Sequence, residues 1–293
     1  MDGLPTRKLG STGLDVTILG YGALELRGIV AGVGRPLESG QPERILNAVL
    51  DAGINYIDVS GDYGDAEEHI GRCISYRRSE FFIASKCGCP VVTDPKEGHV
   101  YTRENIVAGV NQSLARMKTD YLDFVQFHGS PSQDIIEDNG AIDTLMKLRE
   151  EGKIRFLGSS SVLPNITDHI NMGVFDEFQI PYSALDREHE EVISRSADAG
   201  IGTVIRGGVA QGEPGMGRGK TEIWDKFSVA GLDELRGEGE SRSAFILRFT
   251  LSHPDIHTII AGTKNLDHLN ENIEAVQKGP LDVKTYSEAK NRL

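Results

Sequence analysis

Several short apolar runs in the chain carry or end on a polar residue able to do chemistry. They present Asp58, Lys86, His128, the stretch Ser159-Ser160-Ser161, Gln179 and Arg206, in that order, and Tyr63 follows Asp58 by five positions. Any one of these alone reads as a solvated or paired side chain. The ordered set asks for a common purpose, and the residue types suggest proton transfer. Tyrosine has an ordinary pKa near 10, too high to ionise freely at neutral pH. An ammonium about 4 Å from its oxygen would favour the phenolate by roughly 4 kcal/mol at an effective dielectric of about 20, which is about three pKa units before desolvation opposes it. A carboxylate beside the lysine would keep that lysine charged and placed. Tyr63 could then act as a general acid toward an oxygen that gains negative charge, such as a carbonyl receiving hydride.

Positioning these groups on one rim needs parallel strands, and the chain repeats a unit that supplies them. Asp51-Ala52-Gly53-Ile54, Glu150-Glu151-Gly152-Lys153 and Asp198-Ala199-Gly200-Ile201 each close an amphipathic run with Gly and lead into a short β-rich run. Gly suits the left-handed residue just past a helix end, so these are helix-to-strand junctions. Ile45, Leu46, Val49 and Leu50 share one helical face in 42–52, and Thr102 is a candidate N-cap for a helix carrying Ile106, Val110 and Leu114. Segments 188–199 and 266–277 read as further helices. Between the helices, continuous apolar runs at 16–21, 56–58, 81–86, 122–128, 154–159, 177–180, 203–206 and 258–261 mark strands buried on both faces, as in parallel sheets. Eight such strands in 293 residues predict an α/β protein with a (β/α)8 TIM barrel, one domain over 1–293. An open doubly wound sheet would carry a glycine-rich fingerprint after its first strand, and Gly28, Gly32 and Gly34 have the wrong spacing for it.

Composition narrows the function. Lys and Arg total 31 against 44 Asp and Glu, a formal charge of −13. That argues against nucleic acid and anionic membrane surfaces as partners. No apolar run is long enough to span a bilayer, and the N-terminus lacks the features of a signal peptide. Cys73, Cys87 and Cys89 make no disulfide framework, and no second Cys/His pair at zinc spacing accompanies Cys87-Gly88-Cys89. The expectation is a cytoplasmic protein without a metal.

At the residues singled out above, the sequence resembles the aldo-keto reductase family. Ile57-Asp58-Val59-Ser60-Gly61-Asp62-Tyr63-Gly64 is similar to the family's strand-two motif, Ala84-Ser85-Lys86 to its lysine segment, and Val125-Gln126-Phe127-His128 to its histidine segment. The likeness runs from an N-terminal hairpin cap around Leu9-Gly10-Ser11-Thr12-Gly13-Leu14 to the last helix. It implies a catalytic tetrad of Asp58, Tyr63, Lys86 and His128, with Tyr63 as proton donor to a small-molecule aldehyde or ketone. It also implies a nicotinamide cofactor lying across the barrel mouth, NADP(H) ahead of NAD(H). Ser160, Ser161 and Gln179 would hold the carboxamide. Arg206, Gly207, Gly208 and Gln211 would flank the ring and pyrophosphate. Gly262, Thr263, Lys264, His268, Glu271 and Asn272 would meet the adenosine end and its 2′-phosphate, at a helix N-terminus suited to phosphate.

Departures from the family pattern bear on the cofactor. Arg206 stands where an aromatic usually stacks on the nicotinamide, Gly262 replaces a lysine, His268 replaces an arginine, and Ser161 replaces an asparagine. These leave two alternatives to a reductase: an epimerase or lyase with a retained nicotinamide, and a non-catalytic cofactor-sensing subunit. A P-loop look-alike at Gly215-Met216-Gly217-Arg218-Gly219-Lys220-Thr221 has Pro214 where its first Gly belongs. Substrate choice is expected in loops 24–41, 88–101, 129–139 and 212–240. Because the chain is acidic and the cofactor polyanionic, a small positive patch is expected at the barrel mouth.

Overall fold

A computed structural model describes residues 3–30, 32–94, 98–215 and 217–293. Ala31, residues 95–97 and Met216, which fall within the expected specificity loops, lie outside the described residues. Eight strands close a barrel: β1 (Leu19–Gly22), β2 (Tyr56–Asp58), β3 (Phe82–Cys87), β4 (Leu122–Phe127), β5 (Ile154–Ser160), β6 (Glu177–Pro181), β7 (Gly202–Arg206) and β8 (Thr258–Ala261). Every neighbouring pair is parallel, and β8 pairs with β1 to complete the ring. The fold is the expected (β/α)8 barrel.

The helices form where periodicity and capping place them. Helix α1 (Gln41–Asp51) buries Ile45, Leu46, Val49 and Leu50 against the barrel. Helix α2 spans Ala66–Cys73 and α3 spans Arg103–Met117, the latter capped by the Thr102 side chain, which accepts from the Asn105 backbone N–H. Gly53, Gly152 and Gly200, the residues that close the repeated junctions, have φ of 81°, 74° and 75°. A side chain at those angles would be strained, so Gly ends each helix there.

The first expected strand, 16–21, proves to be two elements. Asp15–Thr17 pairs antiparallel with Thr6–Lys8 in the N-terminal hairpin, and the barrel strand begins only at Leu19. Asn55 holds the break by accepting from both the backbone N–H and the hydroxyl of Thr17. The hairpin plugs the barrel bottom, where Leu9 and Val16 cluster with Tyr56, Ala84, Phe124 and Val204. The larger core lies between barrel and helices.

Inside the barrel, alternate strands contribute to shared layers, as this architecture requires. Tyr56 on β2, Gln126 on β4 and Glu177 on β6 meet in one fully buried polar layer. Tyr56 Oη donates to Glu177 Oε2 at 2.6 Å, and Gln126 Nε2 donates to Glu177 Oε1. Side chains alternate along a strand, so the residues two positions further on face the same interior one layer higher. Those residues are Asp58, His128 and Gln179.

Candidate active site

The upper layer is built on Asp58. Its Oδ1 accepts from Lys86 Nζ and from Gln179 Nε2, the latter at 2.6 Å. Lys86 Nζ also donates to the Val59 carbonyl at 3.1 Å, and Ser160 Oγ donates to Gln179 Oε1 at 3.0 Å. Strands β2, β3, β5 and β6 are thus tied together at one rim. The Lys86 and Asp58 side chains are 0% and 4% exposed, so each charge depends on the other in a poorly solvated interior.

Tyr63 stands beside this pair on the wall of a cleft of about 550 Å³ at the barrel mouth. Burial pushes its phenol well above the ordinary tyrosine range, Asp58 and Asp62 push it further, and Arg206 acts in the opposite direction. The lowering expected from a neighbouring ammonium is not seen: Lys86 Nζ donates to Asp58 and to the Val59 carbonyl, and Arg206 is the positive charge that acts on the phenol.

His128 lies just past the end of β4, and its backbone N–H donates to the Cys87 carbonyl at 3.0 Å. Its Nδ1 is 3.4 Å from Asp62 Oδ2. Ser60 Oγ and Cys89 Sγ each lie 3.5 Å from the same nitrogen. The rings of Tyr63 and His128 meet edge to face, their centroids 6.1 Å apart. Burial disfavours ionisation of Asp62, but the hydrogen bond and charge of His128, aided by Ser60, pull its carboxyl down to about 2.

Comparison with known proteins decides the family. Residues 19–291 match the Aldo/keto reductase family. The chain is 30% identical over 287 residues to the "Uncharacterized oxidoreductase YqkF" of Bacillus subtilis (strain 168), covering 92% of this chain and 90% of that one. The chain belongs to the aldo-keto reductase family. It is 27% identical to the L-galactose dehydrogenase of Arabidopsis thaliana over 98% of this chain and 94% of that one. It superposes with a TM-score of 0.84 on the holo form of aldo-keto reductase AKR11C1 from Bacillus halodurans, at 28% identity, covering 99% and 96% of the two chains. The chain is thus an oxidoreductase of a family that works with nicotinamide cofactors.

This aldo-keto reductase gathers many of the expected cofactor residues on one cleft. Gln179, Arg206, Gly207, Gln211, Gly262, Thr263, His268, Glu271 and Asn272 line it together with Asp58 and Tyr63. One feature fits a partly anionic dinucleotide. Among the described residues Arg206 Nε is buried without a hydrogen-bond partner, and burial holds the guanidinium below its usual pKa range. Gly22 and Gly262 line the cleft, and a Cβ on Gly262 would lie 2.7 Å from the Gly22 carbonyl oxygen, so glycine there lets the two segments pack closely.

Other expected contacts stand apart from the cleft lining. The Gly208 carbonyl accepts from Thr250 Oγ1 at 2.9 Å, and a Cβ on Gly208 would lie 2.4 Å from Ile259, so this glycine serves packing. Ser161 Oγ is bonded to Ser130 Oγ at 2.7 Å. Ser160 reaches the cleft through Gln179. Lys264 Nζ turns to the Pro36 carbonyl, and the helix Leu266–Gln277 is capped by Asn265, whose side chain accepts from the Asp267 N–H at 2.8 Å.

Among the described residues the cleft lining does not show the expected positive patch. Arg206, Arg218 and Lys220 share it with Glu25, Asp58, Asp186, Glu213 and Glu271, and Arg218 lies 3.6 Å from Glu25. The loops at the mouth carry the acidic balance of the whole chain into the site.

Sequence reasoning set Cys89 aside for want of a second Cys/His pair and passed over Asp62 and His99; all three surround His128. His99 Nε2 lies 3.9 Å from Asp62 Oδ2, and the His99 and His128 rings have centroids 4.6 Å apart. Asp62 sits inside the quoted strand-two motif, so its place beside Tyr63 was the available signal. His99 had none.

Proposed function

We propose that the protein interconverts an aldehyde or ketone and its alcohol, with Tyr63 as the proton donor in reduction and a nicotinamide dinucleotide as redox partner. The observation that carries this reading is Tyr63 on the cleft wall beside the buried Asp58–Lys86 pair. When bound, the cofactor would supply or accept hydride at the carbonyl carbon. Gln179 would hold its carboxamide, steadied by Ser160. Arg206 would meet its anionic or ring portion, since a guanidinium can both stack on a planar ring and pair with phosphate.

The chain's own groups handle the proton. Tyr63 stays protonated until the substrate oxygen becomes more basic than a phenolate, then gives up its proton to that oxygen. Lys86 holds Asp58 in place, and the Arg206 guanidinium, which acts on Tyr63 against its carboxylate neighbours, offsets the charge left on the phenolate. His128, whose ring meets that of Tyr63 edge to face, would orient the carbonyl. Three free, buried cysteines support a working place in a reducing compartment such as the cytoplasm.

The NADP(H) preference loses its main physical support without a positive patch. A carboxylate, Glu271, lines the end assigned to adenosine, and Lys264 is engaged elsewhere. We therefore read the site as using NAD(H) at least as well as NADP(H). Initial rates with both reduced cofactors against sugars, aromatic aldehydes and keto acids test both points. A strong preference for NADPH would overturn the cofactor reading, and no oxidation of either cofactor with any carbonyl would overturn the reductase.

A further inference from the structure

The side chains around His128 form a second constellation with its own chemistry. Asp62, Cys89, His99 and His128 each present one donor atom, and all four atoms lie within 4.8 Å of one another. We propose that these four residues form a tetrahedral binding site for Zn²⁺.

The geometry is close to what the ion requires. With zinc bonds of about 2.0–2.1 Å to nitrogen and oxygen and about 2.3 Å to sulfur, the edges of a tetrahedral site are roughly 3.3–3.6 Å. The distance from His128 Nδ1 to Asp62 Oδ2 is 3.4 Å and to Cys89 Sγ is 3.5 Å. The distance from His99 Nε2 to Asp62 Oδ2 is 3.9 Å, a few tenths of an ångström beyond that range. One thiol, two imidazoles and one carboxylate form a donor set suited to zinc, whereas calcium and magnesium favour oxygen cages.

The surroundings aim these atoms. Gly129, at a φ of 82°, lets the His99 ring pack against the chain, because a Cβ there would lie 2.6 Å from His99 Nδ1. That leaves Nε2 facing Asp62. Tyr101 stacks near His99 with an interplanar angle of 24° and ring centroids 6.5 Å apart. Cys89 is buried at the base, while Asp62 and His99 are exposed and give the ion a path in. The four ligands come from three separate loops, which is why no zinc-type spacing occurs in the sequence.

On binding, the Cys89 thiol releases its proton to solvent and its sulfur bonds the ion, with no change of oxidation state. His128 Nδ1 is then occupied, so Nε2 carries the imidazole proton. If the reductase reading holds, the ion thereby fixes His128 as a hydrogen-bond donor toward the carbonyl. The metal site itself does not depend on that reading.

The test is titration of metal-stripped full-length protein with Co²⁺, followed by absorbance and calorimetry. The expected result is one ion per chain, a thiolate-to-cobalt charge-transfer band, and displacement by Zn²⁺. Cys89→Ser abolishes the band, while Cys73→Ser, remote from the cluster, retains it. His99→Ala, at an exposed position, weakens affinity at least about tenfold and serves if the Cys89 variant fails to fold. Absence of binding, or a band and affinity unchanged in both the Cys89 and His99 variants, overturns the site. Carbonyl reduction is scored separately, so failure of the metal site and failure of the reductase reading are distinguishable.

Discussion

Gln179 Nε2 donates to Asp58 Oδ1 at 2.6 Å, a bond that crosses the barrel interior from β6 to β2. These strands are not neighbours, so the bond forms only because the barrel closes. With Lys86 on the same carboxylate oxygen, Asp58 is the joint on which the upper layer turns. Removing one member of a buried pair leaves the other charge uncompensated, at a cost of about 3–5 kcal/mol. Asp58→Asn and Lys86→Met should each lose stability on that scale in urea unfolding. The double variant should lose clearly less than the sum. Strict additivity would show that the two charges do not depend on each other.

One layer below, Glu177 is fully buried and its pKa is raised from 4.5 to about 8, chiefly by burial, against the lowering effect of the Tyr56 hydrogen bond. Gln126 Oε1 is buried beside it with no hydrogen-bond partner among the described residues, an acceptor for a neutral carboxyl once the amide turns. In the unfolded chain the same group ionises near its ordinary pKa. Between those two values the native state therefore holds more protons than the unfolded state, and stability falls as pH rises. The contribution is fully present below pH about 4.5 and lost by about pH 8. Relative to Glu177→Gln, the parent protein should lose roughly 3–5 kcal/mol across that window. Parallel stability-pH curves for the two proteins would contradict this.

The hairpin plug makes a separate prediction. Leu9 is fully buried, and a Cβ on Gly202 would lie 2.7 Å from its side chain, so the barrel floor has no slack there. Leu9→Ala should cost about 2–5 kcal/mol by leaving a cavity. Cofactor affinity should stay unchanged, because the plug and the cleft lie at opposite ends of the barrel. Equilibrium unfolding and a cofactor titration check both halves.

How much of this was legible in the chain depends on the range of the interaction. Continuous apolar runs report strands buried on both faces, so the barrel and the strand-end residues Asp58, Lys86, Gln179 and Arg206 could be read directly. The division near Thr17 could not, because Asn55, far along the chain, holds it. The lysine expected at the 2′-phosphate turns to Pro36 from a distant loop. Cys87 and Cys89 look like a pair by spacing, yet Cys87 enters the main core at the end of β3 while Cys89 joins Asp62 and the two histidines. Side-chain direction beyond a strand end follows loop geometry, which periodicity does not encode.

Arg206 links stability to function. Among the described residues its buried Nε has no hydrogen-bond partner, a cost that an anionic ligand would offset. Arg206→Met should raise unfolding stability by about 1 kcal/mol or more. The same change should weaken dinucleotide binding by about ten- to a hundredfold, the worth of one hydrogen bond to a charged group. Lower stability with unchanged cofactor affinity would make Arg206 a structural residue.

The central claim is that Tyr63 delivers the proton, and Tyr63→Phe tests it with a single oxygen removed. The measurement is kcat for carbonyl reduction together with cofactor Kd by fluorescence titration. The account predicts a fall in kcat of about 10²- to 10⁴-fold with cofactor Kd nearly unchanged. A variant that turns over at the parent rate would contradict it.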